Sequence, residues 1–108
     1  MKNKILNILP LMLIVFFMNS CSVQLNHWKG INHENLVTNF EKVKGGEWVE
    51  NNSNGEYYFK ELEIQGRRVL LQSLDRDGVY VKLKPRKCLY KNTKYTNWFL
   101  IYYGKWIN

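Results

Sequence analysis

The chain has 108 residues and a formal net charge of +7, and 45% of its residues are hydrophobic and 15% aromatic. This length is enough for one domain and excludes a multidomain protein. A core of this size is only marginally stable, so the four Trp, seven Tyr and five Phe are expected to supply much of its buried area.

The first twenty residues have the composition of a secretory signal peptide. Lys2 and Lys4 give a basic start, and the run 5–18 that follows is apolar except for Asn7 and is bent once by Pro10. A membrane-spanning helix needs about 20 apolar residues, so this run is too short to be a permanent transmembrane segment. We therefore expect residues 1–20 to be removed.

The apolar run ends in the sequence MNSC, whose cysteine is Cys21. Residues 1–21 resemble a bacterial lipoprotein signal, in which a small residue, here Ser20, precedes a Cys that is acylated and becomes the first residue of the mature chain. The resemblance implies that Cys21 carries lipid, since a thiolate is the nucleophile that accepts it. Met18 stands where such signals usually carry Leu. Ser22, in place of Asp, implies a lipid-anchored protein of the outer membrane that faces the periplasm.

The two cysteines leave alternatives open. If the signal is an ordinary secretory one, Cys21 and Cys88 can form a disulfide, whereas lipid on Cys21 leaves Cys88 as the one remaining thiol. Cys88 is then either a small buried residue in a strand or a reactive thiol whose pKa is lowered by Arg86 and Lys87. The first interpretation is favoured.

Charge is distributed unevenly along the mature chain. Residues 21–63 contain four Lys and seven Glu, a net −3, whereas residues 64–108 contain ten Lys or Arg and two Asp, a net +8. A basic half on an envelope protein indicates an anionic partner, such as anionic lipid, a polysaccharide or an acidic envelope protein, and the compartment excludes nucleic acid. Alternatively, the lysines keep a small sheet soluble and protect its edges.

Residues 21–31 are polar and lack a period, which predicts a membrane tether in front of a single folded domain at 32–108. His27 and His33 are six residues apart and have no further ligand at metal-binding spacing. A closed zinc site needs four ligands, so we expect neither a metal nor any other cofactor.

The start of the domain has the pattern of a helix. Leu36, Phe40 and Val43 recur at steps of four and three, which predicts one short helix over residues 32–46. Asn32 is a suitable N-terminal cap for this helix.

From residue 47 onward the period changes to two, which predicts six or seven short antiparallel strands. The clearest strand, residues 79–84, has Val79, Val81 and Leu83 on one side and polar or charged residues on the other. Helix and strands together predict a mainly β (α+β) fold, a small antiparallel β-barrel or curved sheet behind the helix. The Gly-x-Trp sequence that ends at Trp48 resembles the start of small lipocalin-like β-barrels.

These features favour a lipid-anchored, non-enzymatic envelope protein that binds an anionic or protein partner through its basic, aromatic C-terminal half. The alternative is a small inhibitor or exclusion protein that blocks an envelope enzyme or receptor with a loop, either 51–55 or 91–97. No nucleophile has a recognisable companion, so we do not expect an enzyme. The candidate partner-binding residues are Lys82, Lys84, Arg86, Lys87, Tyr95 and Trp98.

Overall fold

The computed structural model describes residues 25–94 and 97–107, and this part of the chain forms a closed barrel of eight antiparallel strands. Each strand pairs with its neighbours in sequence, and the last strand pairs with the first, so the barrel has no unpaired edge. The predicted small antiparallel barrel is confirmed, but it has eight strands where the sequence predicted six or seven. The strands are β1 His27–Ile31, β2 Val37–Lys44, β3 Glu47–Asn52, β4 Gly55–Gln65, β5 Arg68–Ser73, β6 Val79–Leu83, β7 Lys87–Asn92 and β8 Phe99–Trp106.

The predicted helix over residues 32–46 is wrong, because most of this segment is strand β2. Thr38 and Phe40 are fully buried, while Val37 and Val43 are exposed, so the segment alternates with a period of two. Of the three apolar residues that indicated a helix, Phe40 and Val43 lie on opposite sides of β2, and Leu36 lies in the connection before it.

The turn between β1 and β2 uses the residue that was expected to cap the helix. The Asn32 side-chain oxygen accepts hydrogen bonds from the backbone N–H groups of Glu34 and Leu36, at 2.9 and 3.0 Å. Asn35 has a left-handed φ of 64°, which turns the chain back. Asn side chains form such turns as readily as they cap helices, so the local signal was ambiguous.

Strand β1 lies within the residues that were predicted to form a tether. Its Trp28 is fully buried, and the strand is hydrogen-bonded to β2 on one side and to β8 on the other. The folded domain therefore includes residues 27–31 and begins before residue 32.

The inside of the barrel is filled by aromatic side chains. Trp28, Phe40, Trp48 and Phe59 have no exposed surface. Phe40 lies 6.2 Å from Trp28 and 5.7 Å from Phe59 between ring centroids, which is the range of favourable aromatic pairs. The interior is therefore a packed core at these positions, as in the smallest eight-stranded barrels.

Three indoles close the end of the barrel that carries the β2–β3, β4–β5 and β6–β7 connections, which we call the tryptophan end. Trp48 and Trp106 pack edge to face at 6.2 Å. Every indole N–H there donates a hydrogen bond, which removes the cost of burying it. The bonds are Trp28 Nε1 to Lys84 O at 2.8 Å, Trp48 Nε1 to Glu61 Oε1 at 2.8 Å and Trp106 Nε1 to Arg67 O at 2.9 Å.

Two facing glycines make room for the Trp28 ring. Gly30 in β1 pairs with Gly104 in β8. A Cβ atom on Gly104 would lie 2.6 Å from Trp28 Cη2 and 2.6 Å from Gly30 Cα. The glycines therefore stand inside strands because the largest core side chain lies directly over them.

Candidate functional site: a cationic face around Trp98

Trp98 lies on the outside of the barrel, immediately before β8. The Lys82 ammonium is 4.4 Å from the centroid of its ring, and the Lys91 ammonium is 5.7 Å from it. Both distances are within the range of cation–π attraction. We call this surface the Trp98 face, and its residues are Glu63, Gln65, Arg68, Leu70, Lys82, Lys91 and Trp98.

The strand register brings the two ammonium groups together. In β6, Val81 and Leu83 point into the core, so Lys82 between them points outward, as its sequence alternation predicted. Tyr80 pairs with Lys91 of β7, which places Lys91 on the same outer surface. Two cations thus share one indole ring, although they come from different strands.

A groove of about 160 Å³ runs along this face. Arg68 and Lys82 line it together with one carboxylate, Glu63, and Lys91 lies near the Trp98 ring without lining the groove. Sites for drug-sized molecules usually measure about 300–1,000 Å³. The groove is therefore suited to a single anionic group of a larger partner.

The other predicted contact residues lie elsewhere. Lys84, Arg86 and Lys87 form the β6–β7 connection and the start of β7, at the tryptophan end, whereas Trp98 belongs to the β7–β8 connection at the opposite end. The Lys84 N–H donates to the Lys87 carbonyl at 2.8 Å, and the Lys84 carbonyl accepts from Trp28. The predicted set is thus divided between two places, and Tyr95 lies outside the described residues.

Sequence reasoning missed Arg68, Leu70 and Lys91 as members of this face. Lys91 was assigned to a turn, but β7 continues to Asn92. Extending the alternation of β7 by two residues would have placed Lys91 on an outer surface. No local signal shows that β5 lies beside β6 in the register that adds Arg68 and Leu70.

Cys88 is fully buried in β7, and its thiol is free. Burial, and then the negative charge of Glu50, raise the pKa of the Cys88 thiol well above its usual value. The favoured structural interpretation of Cys88 is confirmed, and the alternative, a reactive thiol whose pKa is lowered by Arg86 and Lys87, is wrong. Cys21 lies outside the described residues, and a disulfide between it and Cys88 would require the core to open.

A buried polar network lies inside the barrel. The carboxylate of Glu50, 4% exposed, accepts hydrogen bonds from Thr38 Oγ1 at 2.6 Å and from Asn52 Nδ2 at 3.0 Å. Burial, and then the negative charge of Glu50, raise the pKa of Tyr102 to about 12. Because the carboxylate has partners within the barrel, we interpret this network as part of the fold.

Arg76 lies near the same network. Its guanidinium is 4.3 Å from the ring centroid of Tyr57 and 5.6 Å from that of Phe59. Its Nε and Nη2 atoms are buried and have no hydrogen-bond partner, so the aromatic rings are the groups that stabilise its charge. This end of the core is therefore polar and charged, in contrast to the tryptophan end.

The buried thiol of Cys88 and the half-buried phenol of Tyr102 lead to a first prediction, that the protein loses stability in alkaline solution. In the unfolded chain these groups ionise near their ordinary pKa values of 9.0 and 10.0, whereas the fold holds both protonated to higher pH. Ionisation then favours the unfolded state, so the free energy of unfolding falls progressively from about pH 9 to about pH 12. Denaturant unfolding of the mature protein at several pH values measures this.

In that experiment Tyr102→Phe should make the free energy of unfolding fall less steeply between pH 10 and 12. The control Tyr103→Phe, which changes the exposed neighbouring ring, should not have this effect. If the free energy of unfolding falls equally steeply with pH in Tyr102→Phe and in the unchanged protein, Tyr102 does not cause the loss of stability in this range.

A second, larger cleft of about 540 Å³ lies beside the β2–β3 turn. Its charged lining residues are two lysines, Lys44 and Lys60, and two glutamates, Glu47 and Glu61. These charges balance, so the cleft has no preference for an anion. The loop 51–55 that an inhibitor would use is a tight turn, in which two residues, Ser53 and Asn54, separate β3 from β4.

Within residues 25–94 and 97–107, no group of three or more His, Cys, Asp or Glu side chains is placed to hold a metal ion. The same residues contain no helix long and apolar enough to cross a membrane.

The fold and the Trp98 face define a small closed β-barrel with a packed core and a cationic aromatic surface, consistent with the predicted likeness to lipocalin-like barrels. Comparison with protein-family models, with curated proteins and with solved structures found no match for this chain.

Proposed function

We propose that the protein is a lipid-anchored, non-enzymatic protein of the cell envelope that binds an anionic partner at the Trp98 face. The observation that carries the proposal is the placement of two ammonium groups, from Lys82 and Lys91, within 4.4 and 5.7 Å of the ring centroid of one half-buried indole on the outer surface. A cation that contacts an aromatic ring keeps its charge available to an anion on its other side.

The packed interior supports binding on the outer surface. The core positions that would line a ligand cavity hold Trp28, Phe40, Trp48 and Phe59, all without exposed surface. The groove on the Trp98 face accepts one anionic group, and the cations around it suit an extended partner such as a polysaccharide or an acidic envelope protein.

The anchor is the lipid that the resemblance places on Cys21. Two or more acyl chains hold a protein stably, because each buried methylene contributes about 0.8 kcal/mol. The proposed location is the outer membrane, with the barrel in the periplasm. The buried, protonated thiol of Cys88 supports the non-enzymatic part of the proposal, since a nucleophilic cysteine acts as a thiolate.

Binding of the mature protein to heparin, used as a soluble polyanionic probe, tests the proposal. We expect Trp98→Ala and Lys82→Gln each to weaken binding about fivefold, because each removes one contact worth roughly 1 kcal/mol. Affinity should fall as salt is raised, since the partner is held by charge. Titration calorimetry at low and high salt measures both effects.

The matched control is Lys60→Gln, which removes an exposed lysine of β4 that does not line the groove. It should leave the affinity within about twofold of the parent. Equal weakening by Lys60→Gln and Lys82→Gln would mean that net charge alone drives binding, and the Trp98 face would be rejected as the site.

A further inference from the structure

A different outer surface, formed by β2, β1, β8 and β7, combines an apolar row with a basic row. Ile31 pairs with Val37 on one side and with Tyr103 on the other, and Tyr103 pairs with Lys87. Directly paired residues point to the same side of a sheet, so these side chains form one row across four strands. Ile31, Val37 and Tyr103 are 40%, 44% and 59% exposed.

The basic row lies next to it, two residues further along each strand. Lys29 pairs with Lys105 of β8 and with Asn39 of β2, and both lysines are exposed. The two rows are about 7 Å apart, which is the rise of two residues in a strand. Like charges on directly paired residues are unfavourable in an isolated protein, so this arrangement has a cost that an anionic partner would remove.

We call Ile31, Val37, Tyr103, Lys29 and Lys105 the β1 face, and we infer that it lies on the anionic surface of the bilayer that holds the anchor. Surfaces that insert into the headgroup region and neutralise its phosphates combine apolar side chains with neighbouring lysines, as this surface does. The inference rests on the proposed lipid anchor, and it adds the orientation of the barrel and a second class of ligand, the anionic phospholipid headgroup.

The length of the chain before β1 supports this orientation. Six peptide steps separate Cys21 from His27, so even fully extended they span only about 20 Å. Lipid on Cys21 therefore holds the start of β1 within about 20 Å of the bilayer, and Ile31 is four residues further along the same strand. Of the barrel's outer surfaces, the one centred on β1 is the nearest to the anchor.

Charge complementarity favours a bilayer over a second copy of the chain. In a symmetric dimer through the β1 face, Lys29 and Lys105 of one copy would meet the same lysines of the other. The carboxylates nearest to this face each lie beside a histidine. The distances are 3.6 Å from Glu34 Oε1 to His33 Nε2 and 3.7 Å from Glu41 Oε1 to His27 Nε2.

The arrangement leaves the Trp98 face free. The Trp98 face is carried by β4, β5, β6 and β7, and β6 is three strands away from β1 around a barrel of eight. One side of the barrel would thus rest on the bilayer while the other faces the partner.

Lipidated mature protein in vesicles that contain about a third phosphatidylglycerol tests the inference. A fluorophore is placed on Tyr103→Cys or on the control Lys60→Cys, which is on β4, half-way round the barrel from β8. The label reports the new cysteine because Cys88 is buried. Lipids with nitroxide headgroups should quench the label at position 103 several times more strongly than the label at position 60.

The contribution of the two lysines to contact with the bilayer is tested by the double variant Lys29→Gln with Lys105→Gln. Each lysine near an anionic surface favours contact about fivefold, so the double variant should shift the docking equilibrium about 25-fold away from the bilayer. Vesicles of phosphatidylcholine alone should give the same loss of quenching.

Equal quenching at positions 103 and 60 in protein that floats with the vesicles overturns the inference and leaves the anchor standing. Disulfide cross-linking between two Tyr103→Cys copies, without quenching by lipid, also overturns it and assigns the β1 face to a dimer. Protein that does not float with vesicles overturns the anchor and the orientation together.

Discussion

Gly104→Ala is expected to destabilise the barrel by about 3 kcal/mol, at the upper end of the range for inserting one methyl group into a packed core. The added Cβ would lie 2.6 Å from both Trp28 Cη2 and Gly30 Cα, distances that real Cβ atoms essentially never show. One of these neighbours is backbone and the other is a fully buried indole, so neither can move without opening the β1–β8 pairing that closes the barrel. Denaturant unfolding followed by tryptophan fluorescence measures the loss.

The same substitution at Gly46 is the matched control. A Cβ on Gly46 has ordinary contacts, the nearest at 3.7 Å from Glu61 Cβ, and its backbone does not require glycine. Gly46→Ala should therefore be neutral or slightly stabilising, because alanine loses less conformational entropy on folding. Equal stability of the two variants would show that the Trp28 ring is not confined by the glycine pair.

This glycine pair also explains where the sequence was misleading about the fold. Gly30 and Gly104 are poor strand formers, and residues 21–31, which are polar and lack a period, were predicted to form a tether. Both glycines lie inside strands because Trp28 requires the space, and only the three-dimensional packing reveals that requirement. The β6 alternation needs no such partner, and it was predicted.

Only the part of the candidate site that lies on a single strand could be predicted from the sequence, because the alternation within a strand shows which of its side chains point outward. The alternation of β6 placed Lys82 on an outer surface, and the half-buried Lys82 does lie there, against the Trp98 ring. The grouping of Lys82 with Arg86 and Lys87 followed their nearness in sequence, but the chain reverses around Pro85, so Arg86 lies in the β6–β7 connection and Lys87 on β7. Which strands share a face depends on the register of strand pairing around the whole closed barrel. The sequence of a single strand does not determine that register.

Cys21→Ser is expected to release the protein from the membrane fraction. Two acyl chains bury on the order of 20 or more methylenes at about 0.8 kcal/mol each, so their loss removes nearly all of the membrane affinity. Fractionation of cells that express the full chain measures this, with intact mass to show that the parent carries acyl chains and the variant does not. Ser22→Ala, which leaves the thiol in place, is the matched control and should stay in the membrane fraction.

The acyl chains on Cys21 and the lysines of the β1 face should respond differently to salt, so the same fractionation distinguishes these two membrane contacts. The parent should resist extraction by high salt, because acyl chains are held by the hydrophobic effect. Any Cys21→Ser protein that remains on membranes should be held through Lys29 and Lys105 of the β1 face, and high salt should remove it. Mature Cys21→Ser protein that stays on membranes in high salt, as the parent does, would contradict the lipid anchor.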